Sequence, residues 1–154
     1  MKPKFDIVVE PRGQTYIDLL NFAAARCRSF SLVWRDQFKF EQSAYEIKQA
    51  LRPFQLSNVK TDEWLGTKLI GHEAIVRRYE VSHESVKLLC GAGSLYSWLQ
   101  PKLPEDLAFY SADDAGWLAS ISHEGRAWLL DESSRPEEIY AHVPGINIRA
   151  HKGW

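Results

Sequence analysis

LYSWLQPKLPEDLAFYSADDAGWLASISHEGRAWLL, residues 95–130, is the stretch on which the fold turns. Three of the six tryptophans (Trp98, Trp117 and Trp128) fall in it, together with Tyr96, Phe109 and Tyr110. Aromatic side chains bury more area than others, so this stretch supplies much of the core. Its apolar runs at 107–111, 116–122 and 126–130 are separated by Ala112-Asp113-Asp114-Ala115 and by His123-Glu124-Gly125. Short β-prone runs spaced by turn formers predict a three-stranded antiparallel meander.

Upstream, the periods alternate. Residues 5–10 (FDIVVE) read as an opening strand, broken by Pro11, Arg12 and Gly13. Thr15 is read as the N-cap of a helix in which Ile17, Leu20, Ala24 and Cys27 recur at three or four. SFSLVW at 29–34 alternates as a strand, and residues 40–51 form a second helix that ends before Pro53. Residues 55–65 are extended and 72–81 a strand, placing Arg77 and Arg78 on opposite faces. Ser82 caps a short helix over HESVKLL that Gly91-Ala92-Gly93 stops. Pro136 opens a helical turn, PEEIYAH, and the tail from 143 to 154 shows no period and is expected to be loosely held. A helix-rich first half before a strand-rich second half predicts one α+β domain over 1–154. Its sheet is mixed or antiparallel, with two to three helices packed on it.

Composition narrows the function. A chain of 154 residues with 45% hydrophobic and 25% charged residues has the balance of one soluble domain, which excludes a disordered chain. Nineteen basic residues against 20 acidic ones leave a net charge of −1, so no nucleic-acid partner is expected. Apolar runs are too short for a membrane span, and no signal peptide opens MKPKFDIVVE, so a cytoplasmic location is expected. The two cysteines, Cys27 and Cys90, read as buried free thiols.

Chemical motifs fail one by one. His72, His83 and His123 each precede a glutamate, yet Val76, Lys87 and Ala127 stand where a second zinc-binding histidine would have to follow. No metal or other cofactor is expected. Gly93-Ser94 lacks the second glycine of a nucleophile elbow, and GAGS at 91–94 lacks the lysine of a phosphate loop. Glu105-Asp106 reads as a strand or turn cap. What stands out is aromatic rings beside charged or polar residues, the pairing that dominates protein interfaces: Trp34-Arg35-Asp36, Asp62-Glu63-Trp64, Ser97-Trp98 and the terminal Trp154. Trp34, Arg35, Asp36, Trp64, Asp113, Asp114, His123 and Glu124 are therefore the candidate partner contacts. Any single tryptophan is expected in the core, with one or two of the six reaching the surface.

FSLVWR (30–35), DEWLGT (62–67) and LYSWLQPKLPEDLAFY (95–110) resemble a group of short, stand-alone, poorly characterised bacterial proteins, over about residues 15–130. That group has no assigned catalytic residue, so the resemblance carries no site across. In size and lack of motifs the chain also resembles bacterial toxin-immunity proteins, which implies a protein partner, a toxin domain, bound by a monomer or homodimer. The alternatives are a small hydrolase or transferase using His123 and Glu124 with Asp113 or Asp114, and a small-molecule sensor or a homodimer joined along the meander's edge.

Overall fold

A computed structural model describes residues 1–130 and 133–153. In chain order the elements are β1 (Phe5–Ile7), α1 (Gly13–Arg26), β2 (Cys27–Trp34), α2 (Gln42–Leu51), β3 (Gln55–Thr61), β4 (Glu63–Trp64), β5 (Thr67–Lys68) and β6 (Ala74–Glu80). They continue with α3 (His83–Cys90), β7 (Glu105–Ser111), β8 (Gly116–Ile121), β9 (Arg126–Leu129), α4 (Pro136–His142) and β10 (Ile148–Ala150). Eight strands join one sheet in the order β10-β1-β9-β8-β7-β2-β6-β3, and every pairing in it is antiparallel. The fold is α+β, and first-half strands enter the same sheet as the β7-β8-β9 meander. Among the described residues no helix is long and apolar enough to cross a membrane.

Helices cover one face of the sheet. Tyr16, Leu19, Leu20 and Ala23 of α1, Leu51 of α2, Val86 and Leu89 of α3 and Ile139 of α4 pack on Phe30, Leu32, Tyr79, Leu107 and Phe109. Each leucine, isoleucine, valine or phenylalanine among them stabilises by roughly 1.5–3 kcal/mol when fully buried. Tyr16 ties three segments together: its hydroxyl donates to the Leu89 carbonyl (2.6 Å) and accepts from the Trp98 indole (2.9 Å). The opposite face is partly roofed by the β4–β5 hairpin, an excursion between β3 and β6. Trp64 packs there on Val33 and Ala74, while Leu65 packs on Ala119, Ile121, Trp128 and Leu130. A Cβ on Gly116 would lie 2.8 Å from a Leu65 carbon, so glycine lets the hairpin approach the sheet.

Several expectations shift. The opening strand stops at Ile7, and Val8 and Val9 are exposed. Helix α1 starts at Gly13 rather than after Thr15, because the Gly13 N–H donates to the Gly93 carbonyl (2.9 Å) and Arg12 bridges to Ser94, steering the chain inward early. Among the described residues four α-helices form, the fourth, α4, over the PEEIYAH turn that opens at Pro136. The tail is held: Val143 and Ile146 are buried in the core, and β10 pairs with β1. Neither flank of the meander is free, since β7 pairs with β2 and β9 with β1; the sheet's edges are β3 and β10. Homodimerisation along the meander's edge is thereby corrected. Trp154 lies outside the described residues.

Candidate functional site

The five described tryptophans, Trp34, Trp64, Trp98, Trp117 and Trp128, are all buried. Trp34 packs against Phe40 with ring centroids 5.2 Å apart. Trp64 aims its indole N–H at Asp106 Oδ2 (3.1 Å). Neither presents a ring face to a partner as the sequence reading expected. The rings went inward because each found partners there: a neighbouring ring and two cations for Trp34, a buried carboxylate for Trp64.

Arg35 and His123, by contrast, meet at one junction with two acids that the sequence reading took for caps. Asp106 and Glu105, 2% and 5% exposed, open β7. Adjacent strand residues normally point to opposite faces. Here Asp106 adopts φ +57°, and the β2–β7 register slips between Ser31 and Val33, the mark of a bulge. Asp106 Oδ1 accepts from the Ser122 N–H (3.0 Å), while the Asp106 N–H donates to the Trp98 carbonyl (3.3 Å). Arg35 Nη1 lies 3.9 Å from Glu105 Oε2, an oxygen that is buried without a hydrogen bond, and the Arg35 N–H donates to Gln100 Oε1 (2.8 Å). His123, 51% exposed, sits in the 3-10 turn Ser122–Glu124 and brings a ring nitrogen within 4.8 Å of a carboxylate oxygen of both acids.

Burial pushes both carboxyls above their ordinary range. For Glu105 the Asp106 charge adds to the rise, opposed by Arg35 and His123. For Asp106 the Ser122 and Trp64 hydrogen bonds oppose it. Chemically the junction can share protons among its carboxyls, or offer three donor atoms to a divalent cation, but Arg35 already supplies positive charge there. A signal for it existed. The hairpin read from the sequence already brings the start of β7 beside the end of β8, where Glu105 and His123 stand.

Asp113 and Asp114 sit at the far turn of the same hairpin, about 20 Å along the strands. Asp113 is held by Ser111 and the Ala115 N–H, and Asp114 ion-pairs with Arg78. The aspartates and His123 therefore do not converge, which removes the constellation expected of a hydrolase or transferase. Glu124 stays at the surface beside His123 and Arg126, 3.9 and 4.0 Å away.

Asp36 leads to a second feature. With Asp62 and Glu73 it lines a cleft of ≈ 570 Å³ at the end of β2, β3 and β6, where Lys60 and His72 also line the wall. Flanking that cleft in sequence are two apolar residues, Phe38 at 47% and Ile70 at 92% exposure. The Arg35 guanidinium lies 5.0 Å from the Phe38 ring centroid. A larger cavity, ≈ 760 Å³, lies between α2, α3 and residues 96–103.

No family model matches this chain, nor does any curated protein or solved structure.

Proposed function

We propose that this chain is a protein-binding domain that works by surface complementarity, as an immunity-type inhibitor that covers the active site of a bacterial toxin and makes or breaks no bonds itself. One observation carries the reading: a cleft whose wall holds three carboxylates, Asp36, Asp62 and Glu73, beside Lys60 and His72, adjoins in sequence the solvated apolar residues Phe38 and Ile70. Apolar anchors beside a charged rim are the anatomy of a specific interface. The acids define the partner. An enzyme that cuts nucleic acid needs a basic groove for phosphates, and clustered carboxylates complement such a groove. The buried junction supports this surface from below, because Asp106 holds the Trp64 indole and with it the hairpin that ends beside Ile70.

The test is affinity capture from the native bacterium, with mass spectrometry to identify what binds. A basic toxin domain retained by the native chain and lost by the triple variant Asp36→Asn, Asp62→Asn, Glu73→Gln supports the reading. A partner retained equally by that variant overturns it.

The Glu105–Asp106–His123 convergence favours a second reading, a divalent-cation site serving hydrolysis. Calorimetric titration with Mn²⁺ separates the two: binding abolished by His123→Ala would support the cation site, and the absence of heat would remove it.

A further inference from the structure

On the helix-covered face of the sheet, one register position breaks the apolar pattern. Arg77 of β6 lies between Ile75 and Tyr79, directly opposite the core residue Leu32 on β2 and opposite Asn58 on the edge strand β3. Arg77 is a half-buried residue, and its guanidinium lies 5.2 Å from the centroid of the buried Trp34 ring. From above, α2 and its 3-10 extension bring Tyr45, Lys48, Gln49 and Arg52, spaced at three and four and so on one helical stripe. Lys48 Nζ lies 5.7 Å from the same Trp34 centroid. The result is a cleft of ≈ 440 Å³ whose charged lining is Lys48, Arg52 and Arg77, with amides from Gln49, Gln55 and Asn58 and no carboxylate.

We infer that this cleft is a binding site for the phosphate group of a phosphorylated small molecule. Three like charges held in one concavity repel each other, and among the described residues none of the three has a carboxylate within ion-pair distance. Lys48 and Arg52 could be explained as favourable charges at the C-terminus of α2. Arg77 cannot, since it comes from the sheet and occupies a position that packing would give to an aliphatic residue. The Trp34 face holds two of the cations in place by cation–π attraction, which pre-organises the site at little entropic cost. Guanidinium forks from Arg52 and Arg77 suit the oxygens of a phosphate ester, and Lys48 adds a point charge. A cleft of this size accepts a ligand larger than the phosphate alone. The cleft shares no lining residue with the one that holds Asp36, Asp62 and Glu73, and it does not use Phe38 or Ile70, so its test stands apart from that proposal.

Calorimetry on the full chain at low salt, with inorganic pyrophosphate, ATP and citrate as probes, tests it. Pyrophosphate and ATP are expected to bind, more tightly than citrate, with affinity falling as salt rises. Arg77→Met is expected to weaken pyrophosphate binding by at least about tenfold. Should that variant fail to fold, Lys48→Gln and Arg52→Gln, both at exposed positions, carry the same expectation. No pyrophosphate binding, equal binding by the folded variants, or citrate binding as tightly as pyrophosphate would overturn the site. A single-stranded oligonucleotide that bound more tightly than ATP would also overturn it, in favour of a nucleic acid.

Discussion

Asp106 joins two segments through one buried side chain. It is buried, sits at φ +57° and answers two donors at once, the Trp64 indole and the Ser122 N–H. Asp106→Ala removes both acceptors and leaves a residue without a local hydrogen bond in a left-handed conformation. Urea unfolding is expected to show a loss of about 3 kcal/mol. Asp106→Gly leaves the same donors unanswered but relieves the backbone, so it should recover about 1 kcal/mol of that loss. Equal losses for the two would show that strain contributes nothing. The raised carboxyls of Glu105 and Asp106 also have a pH signature. Between the unfolded carboxyl range, about pH 4, and the raised folded values, the native state holds more protons than the unfolded state. Stability contributed by these groups is thus fully present below pH ~4 and is lost as pH rises through the folded values. Asp106→Asn cannot titrate, so its unfolding free energy should fall less steeply over that window than the native chain's.

Elements differ in how far their own residues announce them. Helix α3 was legible because its N-cap signal is local: Ser82 accepts from the Ser85 N–H (3.1 Å), and the Ser85 hydroxyl completes a reciprocal box by accepting from the Ser82 N–H (2.9 Å). Strand β2 and the meander were legible through alternation and turn residues. The tail was not, because what holds it is distant. Val143 and Ile146 reach the core without a period, Val8 N–H donates to the Asn147 carbonyl (2.8 Å), and His151 Nδ1 lies 2.7 Å from Asp6 Oδ1. The bulge at Asp106 was hidden for a related reason: alternation presumes an unbroken register, and a left-handed aspartate breaks it without changing composition. Trp34 and Trp64 illustrate a further limit, since a charged neighbour in sequence says nothing about which way a ring turns. Deleting residues 147–154 removes β10 and its backbone bonds to β1, and should destabilise the chain by about 3 kcal/mol in denaturant. The truncation should also alter acid sensitivity. Burial alone would raise the Asp6 carboxyl, but hydrogen bonds from His151 and Arg149 outweigh it and hold the carboxyl below its usual range. That contribution is present above the unfolded value and lost as pH falls through the folded one, so the shortened chain should lose less stability on acidification than the native chain.

At the scale of the molecule, a net charge of −1 conceals opposite local fields. Asp36, Asp62 and Glu73 gather at one end of the sheet, whereas Lys48, Arg52 and Arg77 gather between α2 and the β3–β6 edge. Composition averages these away, because the strands and loops that assemble each patch come from separate parts of the chain. The same separation gives the protein-binding proposal a kinetic form that a stability defect would not imitate. Rim carboxylates steer encounter, whereas a desolvated apolar anchor governs how long the complex lasts. Once the partner is captured, surface plasmon resonance should show that Asp36→Asn with Glu73→Gln slows association and flattens its dependence on salt, with dissociation little changed. Phe38→Ala should do the reverse, accelerating dissociation by about tenfold or more while association and its salt dependence stay near native. Phe38 and Ile70 are solvated in the free chain, so their truncation costs the fold little, and thermal melting of each variant should match the native protein. If Phe38→Ala left dissociation unchanged, the apolar anchor would be misplaced, and the carboxylate cleft alone would have to account for the complex.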